Sequence, residues 1–161
     1  MTSKADYTED EWARLRRAPM IAGMAISIAD PGGPIEITHE TMATLKAASS
    51  PPSDEELLTA LSQDIMAMAQ KKENPVGDFK LEHSSLAANQ ILDELKGANE
   101  IVTAKATPDE AQAFRVWMTT VAQAAADAAK EGGFMGFHAE RVSDGERAMM
   151  AKVAEALGST S

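Results

Sequence analysis

Between two apolar stretches the chain places ADPGGPIEITHE, residues 29–40, which gathers Asp30, Glu36, His39 and Glu40 in one short segment. Carboxylates with free carbonyls and water are what a hard cation such as Ca²⁺ or Mg²⁺ takes as ligands. An EF-hand loop counted from Asp30 fails, because its third, fifth, sixth and twelfth positions fall on Gly32, Pro34, Ile35 and Thr41. A looser arrangement is left, with Asp30, Glu36 and Glu40 converging on Ca²⁺ or Mg²⁺. The competing and favoured reading is a turn between two helices. In it Asp30 and the prolines shape the chain, Gly32 and Gly33 supply positive φ, and Glu40 interacts with a helix N-terminus. Glu36 and His39 have the Glu-x-x-His spacing of di-iron bundles, but no second such pair exists to complete one.

A second segment has a similar make-up. EGGFMGFHAERVSDGE, residues 131–146, carries Glu131 and Asp144 at its ends and Phe134, Met135 and Phe137 between them. Glu131 and Asp144 are the counterparts of the first acidic cluster as metal-ligand candidates. The three apolar residues read either as a lid folded back on the core or as a docking surface for a partner. Other chemistry is thin. The histidines His39, His83 and His138 show no zinc spacing, and there is no cysteine to act as thiolate ligand or nucleophile. Neither a Gly-x-Ser-x-Gly elbow nor a phosphate loop is present.

The elements that must position these residues are helices. Four stretches fit the capping box, in which a Ser or Thr oxygen accepts from the third helical N–H and a Glu reaches back: Thr8–Glu11, Ser53–Glu56, Thr107–Glu110 and Ser143–Glu146. Pro108 adds a proline at the first helical position. Apolar residues follow in a three-and-four rhythm, as in Leu57, Leu58, Leu61, Ile65 and Met68, or Phe114, Trp117, Val121 and Ala125. Period-two alternation is missing. The spacing predicts an all-α chain with helices at 9–29, 38–48, 54–72, 79–105, 108–131 and 143–158. Pro19 should kink or split the first of them.

Composition agrees with one domain over 1–161. At 161 residues the chain can bury a core, and with 44% apolar but only 4% aromatic residues that core must be mainly aliphatic. A formal net charge of −10 argues against nucleic acid as a partner. MIAGMAISIA, residues 20–29, is too short to span a bilayer, which predicts no transmembrane segment and leaves peripheral membrane contact open. The polar, acidic start does not resemble a signal peptide, so the expected location is the cytoplasm.

The two acidic segments also belong to similar surroundings. Each follows an apolar helix, contains Gly-Gly, and leads through a β-branched residue and a Thr or Ser into another helix, with Ile37-Thr38 corresponding to Val142-Ser143. This predicts two pseudo-repeated helix–loop–helix units, about 9–48 and 108–158, closing on each other as a compact bundle.

SIADPGGPIEITHE and RVSDGERAMMAKVAEALG, set in such a chain, resemble the TerB-like (tellurite-resistance) family over about half of the length. The sequence departs from the family pattern at Pro31, where a glycine is usual, and at Lys130-Glu131, where Ala-Asp is usual. The resemblance implies a helical bundle with an acidic, metal-binding face, a link to stress responses, and protein or membrane-associated partners in place of a defined reaction. The expectation is thus a non-enzymatic acidic interaction module that binds a protein partner or a second copy of itself, with weak Ca²⁺ or Mg²⁺ binding. A metal-dependent helical-bundle enzyme and a structural subunit of a larger assembly are the alternatives.

Overall fold

The computed structural model describes residues 1–29, 34–81, 86–131 and 144–158. Among these the regular structure is entirely helical. A 3-10 turn, Lys4–Asp6, leads into α1 (Glu9–Ala29), α2 (Pro34–Ala48), α3 (Glu56–Gln70), α4 (Ala87–Lys105), α5 (Pro108–Glu131) and α6 (Asp144–Ala156). No helix of the described residues is long and apolar enough to cross a membrane.

Two of the four capping boxes close as the sequence predicts. Thr8 N–H donates to Glu11 Oε2 at 2.8 Å while Glu11 N–H donates to Thr8 Oγ1 at 3.2 Å. Thr107 and Glu110 make the same exchange at 3.0 and 3.2 Å. The box expected at Ser53 does not form. Ser53 Oγ instead accepts from Glu55 N–H at 3.4 Å, a local turn that delays α3 to Glu56. Ser143 lies outside the described residues.

Other boundaries also shift for identifiable reasons. α2 starts at Pro34 instead of residue 38, because proline at the first helical position sacrifices no hydrogen bond. α4 starts at Ala87 instead of residue 79. Before it, Gly77 N–H donates to Asn74 O at 2.9 Å in a turn, and Phe79 and Leu81 pack against the core. α3 ends through Lys72, whose φ is 58°. Lys72 N–H donates to Ala69 O at 3.1 Å and Glu73 N–H to Met68 O at 2.9 Å, the paired bonds of a Schellman cap. Pro19 does not split α1. It is buried between the fully buried Leu15 and Ile21, so packing on both sides holds the helix across the missing N–H.

α5 is the axis of the bundle. Its Phe114, Trp117, Met118, Val121 and Ala125 are fully buried, and α1, α2, α3, α4 and α6 all pack on it. Trp117 Nε1–H donates to Ala47 O at 3.0 Å and so ties α5 to the last turn of α2. The alanines of α5 have the use their size suggests: Ala122, Ala125 and Ala126 let Ile26 of α1 close on them, with Met150 of α6 alongside.

Contacts between helices fix their directions. Lys105, at the end of α4, donates to Glu11 near the start of α1 at 2.6 Å, and Arg17 donates to Glu94 at 2.8 Å, so α1 and α4 are antiparallel. Thr2, just ahead of α1, bonds to Glu110 in the first turn of α5, while Ile26 meets Ala122 and Ala126 at the far end, so α1 and α5 are parallel. The C-terminal ends of α1 and α5 therefore lie at one end of the bundle.

Candidate functional site

Glu40, one of the acidic candidates, lies at that end, against the last turns of α1. The first element of the site is the α1–α2 crossing. Gly23 of α1 faces Thr44 of α2 so closely that a Cβ on residue 23 would lie 2.9 Å from Thr44 Cβ and nearer still to Oγ1 and Cγ2. Only a glycine permits this approach. One turn further along both helices the crossing brings Ser27 to Glu40, and Ser27 Oγ–H donates to Glu40 Oε2.

Glu40 is 1% exposed. A carboxylate so deeply placed must be hydrogen-bonded or paired to be tolerated, and the Ser27 hydroxyl supplies one such bond. Glu40 with Thr44 and Ala48 forms the buried stripe of α2 at a spacing of four. The glutamate therefore occupies a core-facing position that an aliphatic residue would usually take. α6 has a parallel feature in its first turn, where Glu146 is buried ahead of Met149 and Val153.

The remaining candidates divide as follows. Asp144 is fully exposed and pairs with Arg147 at 3.7 Å within the first turn of α6. Glu36 and Glu131 belong to α2 and α5, but their side chains lie outside the described residues, as do Asp30, Phe134, Met135, Phe137, His83 and His138. His39 is exposed, so the Glu36–His39 spacing does not form an inward-facing pair of the di-iron kind. Among the described residues no three His, Asp or Glu side chains come together as a metal site.

Sequence reasoning had picked out Glu40 but missed Gly23, Ser27 and Thr44. The available signal was the spacing: Gly23 and Ser27 are one turn apart, as are Glu40 and Thr44. A concavity of about 520 Å³ opens between α4 and α6 and is lined by Asp93, Lys96, Glu100, Lys152 and Glu155. It mixes both signs of charge and is wide open, so its chemistry selects no class of ligand.

No family model matches the chain, and neither a curated protein nor a solved structure matches it.

Proposed function

We propose that the chain is a non-enzymatic helical interaction module of TerB-like, stress-associated character, whose end at the C-termini of α1 and α5 binds Ca²⁺ or Mg²⁺ weakly and presents a protein partner or a second copy with an ion-dependent surface. The observation that carries this reading is the burial of Glu40. A carboxylate 1% exposed in the buried stripe of a helix is costly for stability alone, and in the sequence it closes the acidic segment that begins at Asp30. Ser27 fixes one oxygen of that carboxylate, which limits the geometry in which the group can meet a cation.

The test is a melt in rising Ca²⁺ or Mg²⁺. A ligand that binds the native state alone at about 100 times its Kd stabilises by about 2.7 kcal/mol. For a chain of this size that raises Tm by about 5–11 °C. Glu40→Gln should abolish the shift and Asp144→Asn, at a fully exposed position, should preserve most of it. Equal melting temperatures with and without millimolar metal would refute the cation half of the reading. A solitary monomer in light scattering, with and without metal, would refute self-association.

A further inference from the structure

At the end of the bundle opposite the C-termini of α1 and α5, the first residues are bound to three helices at once, α3, α4 and α5. Thr2 N–H donates to Glu110 Oε1 at 2.7 Å, and Thr2 Oγ1–H to Glu110 Oε2 at 2.9 Å. Because that hydroxyl proton is committed to Glu110, the 2.8 Å contact between Thr2 Oγ1 and Tyr7 OH has the phenol as donor. The same Glu110 accepts from Thr107 N–H and so also caps α5. Lys4 Nζ donates to Asp64 Oδ2 of α3 at 3.0 Å, an oxygen that also accepts from Trp12 Nε1–H at 2.8 Å. Lys4 and Tyr7 lie over the Trp12 ring at 5.7 Å each, which leaves Trp12 3% exposed. Lys105 of α4 completes the set through Asp6 O at 3.3 Å.

We propose that residues 2–7 form a clasp held shut by the Glu110 carboxylate, and that neutralising this carboxylate opens the clasp and uncovers Trp12 while the helical bundle stays folded. Every polar bond between Thr2 and α5 ends on that one group; Thr2 N–H goes to one oxygen and the Thr2 hydroxyl to the other, and a neutral amide or acid turns one of those two charged acceptors into a donor-bearing group. The bundle has independent support, since its core is apolar: Leu15, Trp117 and Val121 are fully buried, and the Trp117 indole bonds to Ala47 O and not to the clasp. Chain ends held by a few polar bonds open at lower free energy than packed helices.

Acid is the natural trigger. Burial pushes the Glu110 carboxyl up, but the Thr2 and Thr107 N–H groups and the Thr2 hydroxyl outweigh it and hold the group below its ordinary range. The Met1 amino group acts on it directly and Asp109 precedes it on α5, while Tyr7 beside it is in turn faced by Asp6 and Glu11, with Lys105 over the Tyr7 ring and paired with Glu11. A depressed carboxyl stabilises the closed clasp above its ordinary range, and that contribution is lost as pH falls through the depressed value.

Glu110→Gln separates the clasp from the cap. Glutamine at this position still serves a capping box, with its carbonyl toward Thr107 N–H. Its amide NH₂ then takes the place of Oε1 and faces the Thr2 N–H, donor against donor, while the Thr2 hydroxyl stays with the carbonyl. The two tryptophan indoles report separately, since Trp12 Nε1–H bonds to Asp64 near the clasp and Trp117 Nε1–H bonds to Ala47 in the core. Hydrogen exchange of both indoles is measured by NMR on the full chain at neutral pH. In Glu110→Gln the Trp12 indole should exchange about tenfold faster or more, with Trp117 within about twofold of the wild type. Acceleration of both together, or of neither, overturns the proposal. Should Glu110→Gln fail to fold, Thr2→Val removes one donor and leaves the α5 cap intact. It should speed Trp12 by about threefold, and an unchanged Trp12 then overturns the proposal.

Discussion

Replacing Gly23 with alanine puts the close crossing of α1 and α2 to the test. The new methyl would lie 2.9 Å from Thr44 Cβ and closer to Oγ1 and Cγ2, and Thr44 is itself buried. Thr44 cannot swing aside, because its Cβ is fixed to the backbone and its branched side chain has few rotamers. The helices must part instead. Overpacking costs about 1–3 kcal/mol, and the anchored neighbour puts this position at the upper end. Alanine recovers about 1 kcal/mol through helix propensity. The net loss is about 2 kcal/mol, which lowers Tm by about 4–8 °C in a chain of this length. Circular dichroism melts of the wild type, Gly23→Ala, Thr44→Ala and the double variant close a thermodynamic cycle. The double variant should be more stable than the sum of the singles by about 1 kcal/mol or more, since trimming Thr44 relieves most of the clash. A Gly23→Ala variant that melts at or above the wild-type temperature would refute the close crossing and, with it, the placement of Ser27 on Glu40.

Gly97→Ala should have the opposite sign: its nearest neighbour, Arg14 Nη1 at 2.7 Å, is the tip of a flexible side chain whose ion pair with Glu94 is 3.6 Å long, so the tip retreats cheaply and Tm rises with a gain of about 0.5–1 kcal/mol. Lys72→Gly should stabilise by about 1 kcal/mol, because Lys72 holds a left-handed φ of 58° in a cap that glycine fills without a Cβ penalty; denaturant melts with an unchanged midpoint would contradict it. Burial raises the Asp64 carboxyl, yet the bonds from Trp12 and Lys4 with the charges of Lys4 and Arg16 hold it below its ordinary range. Its contribution is therefore present above that range and lost as pH falls through the depressed value. Asp64→Asn should accordingly lose less stability than the wild type between neutral pH and pH about 3 in urea titrations, and parallel losses would count against the assignment.

The helices were legible in the sequence wherever their causes are local. Thr8 with Glu11 and Thr107 with Glu110 announce two starts through bonds three residues apart, and α1 and α5 occupy the expected 9–29 and 108–131. The misplaced starts are places where a different local bond competes. Ser53 satisfies Glu55 before a helix can form, and at the expected start of α4 Phe79 N–H donates back to Val76 O while Lys80 O accepts from the Gln90 side chain. The unbroken course of α1 through Pro19 belongs to a third kind. The local rule predicts a break, and burial of Leu15 and Ile21, on either side of Pro19 in α1 itself, overrides it.

The site was harder to read, because its bonds join residues that the sequence keeps far apart. Glu40 was picked out as an acidic residue near a glycine-rich turn. What sets it apart is that it is buried, and burial depends on α1 lying against α2 at Gly23. Glu110 shows the same limit more sharply. Its sequence context reports only the capping box with Thr107, three residues away, whereas its bonds to Thr2 span 108 positions. A capping glutamate needs one oxygen for its own helix. The second oxygen can accept from any segment the fold brings near, so a capping box at a helix-bundle end is also a socket for a neighbouring chain segment. Which segment fills it follows from helix directions, here the parallel course of α1 and α5, and not from the four residues of the motif.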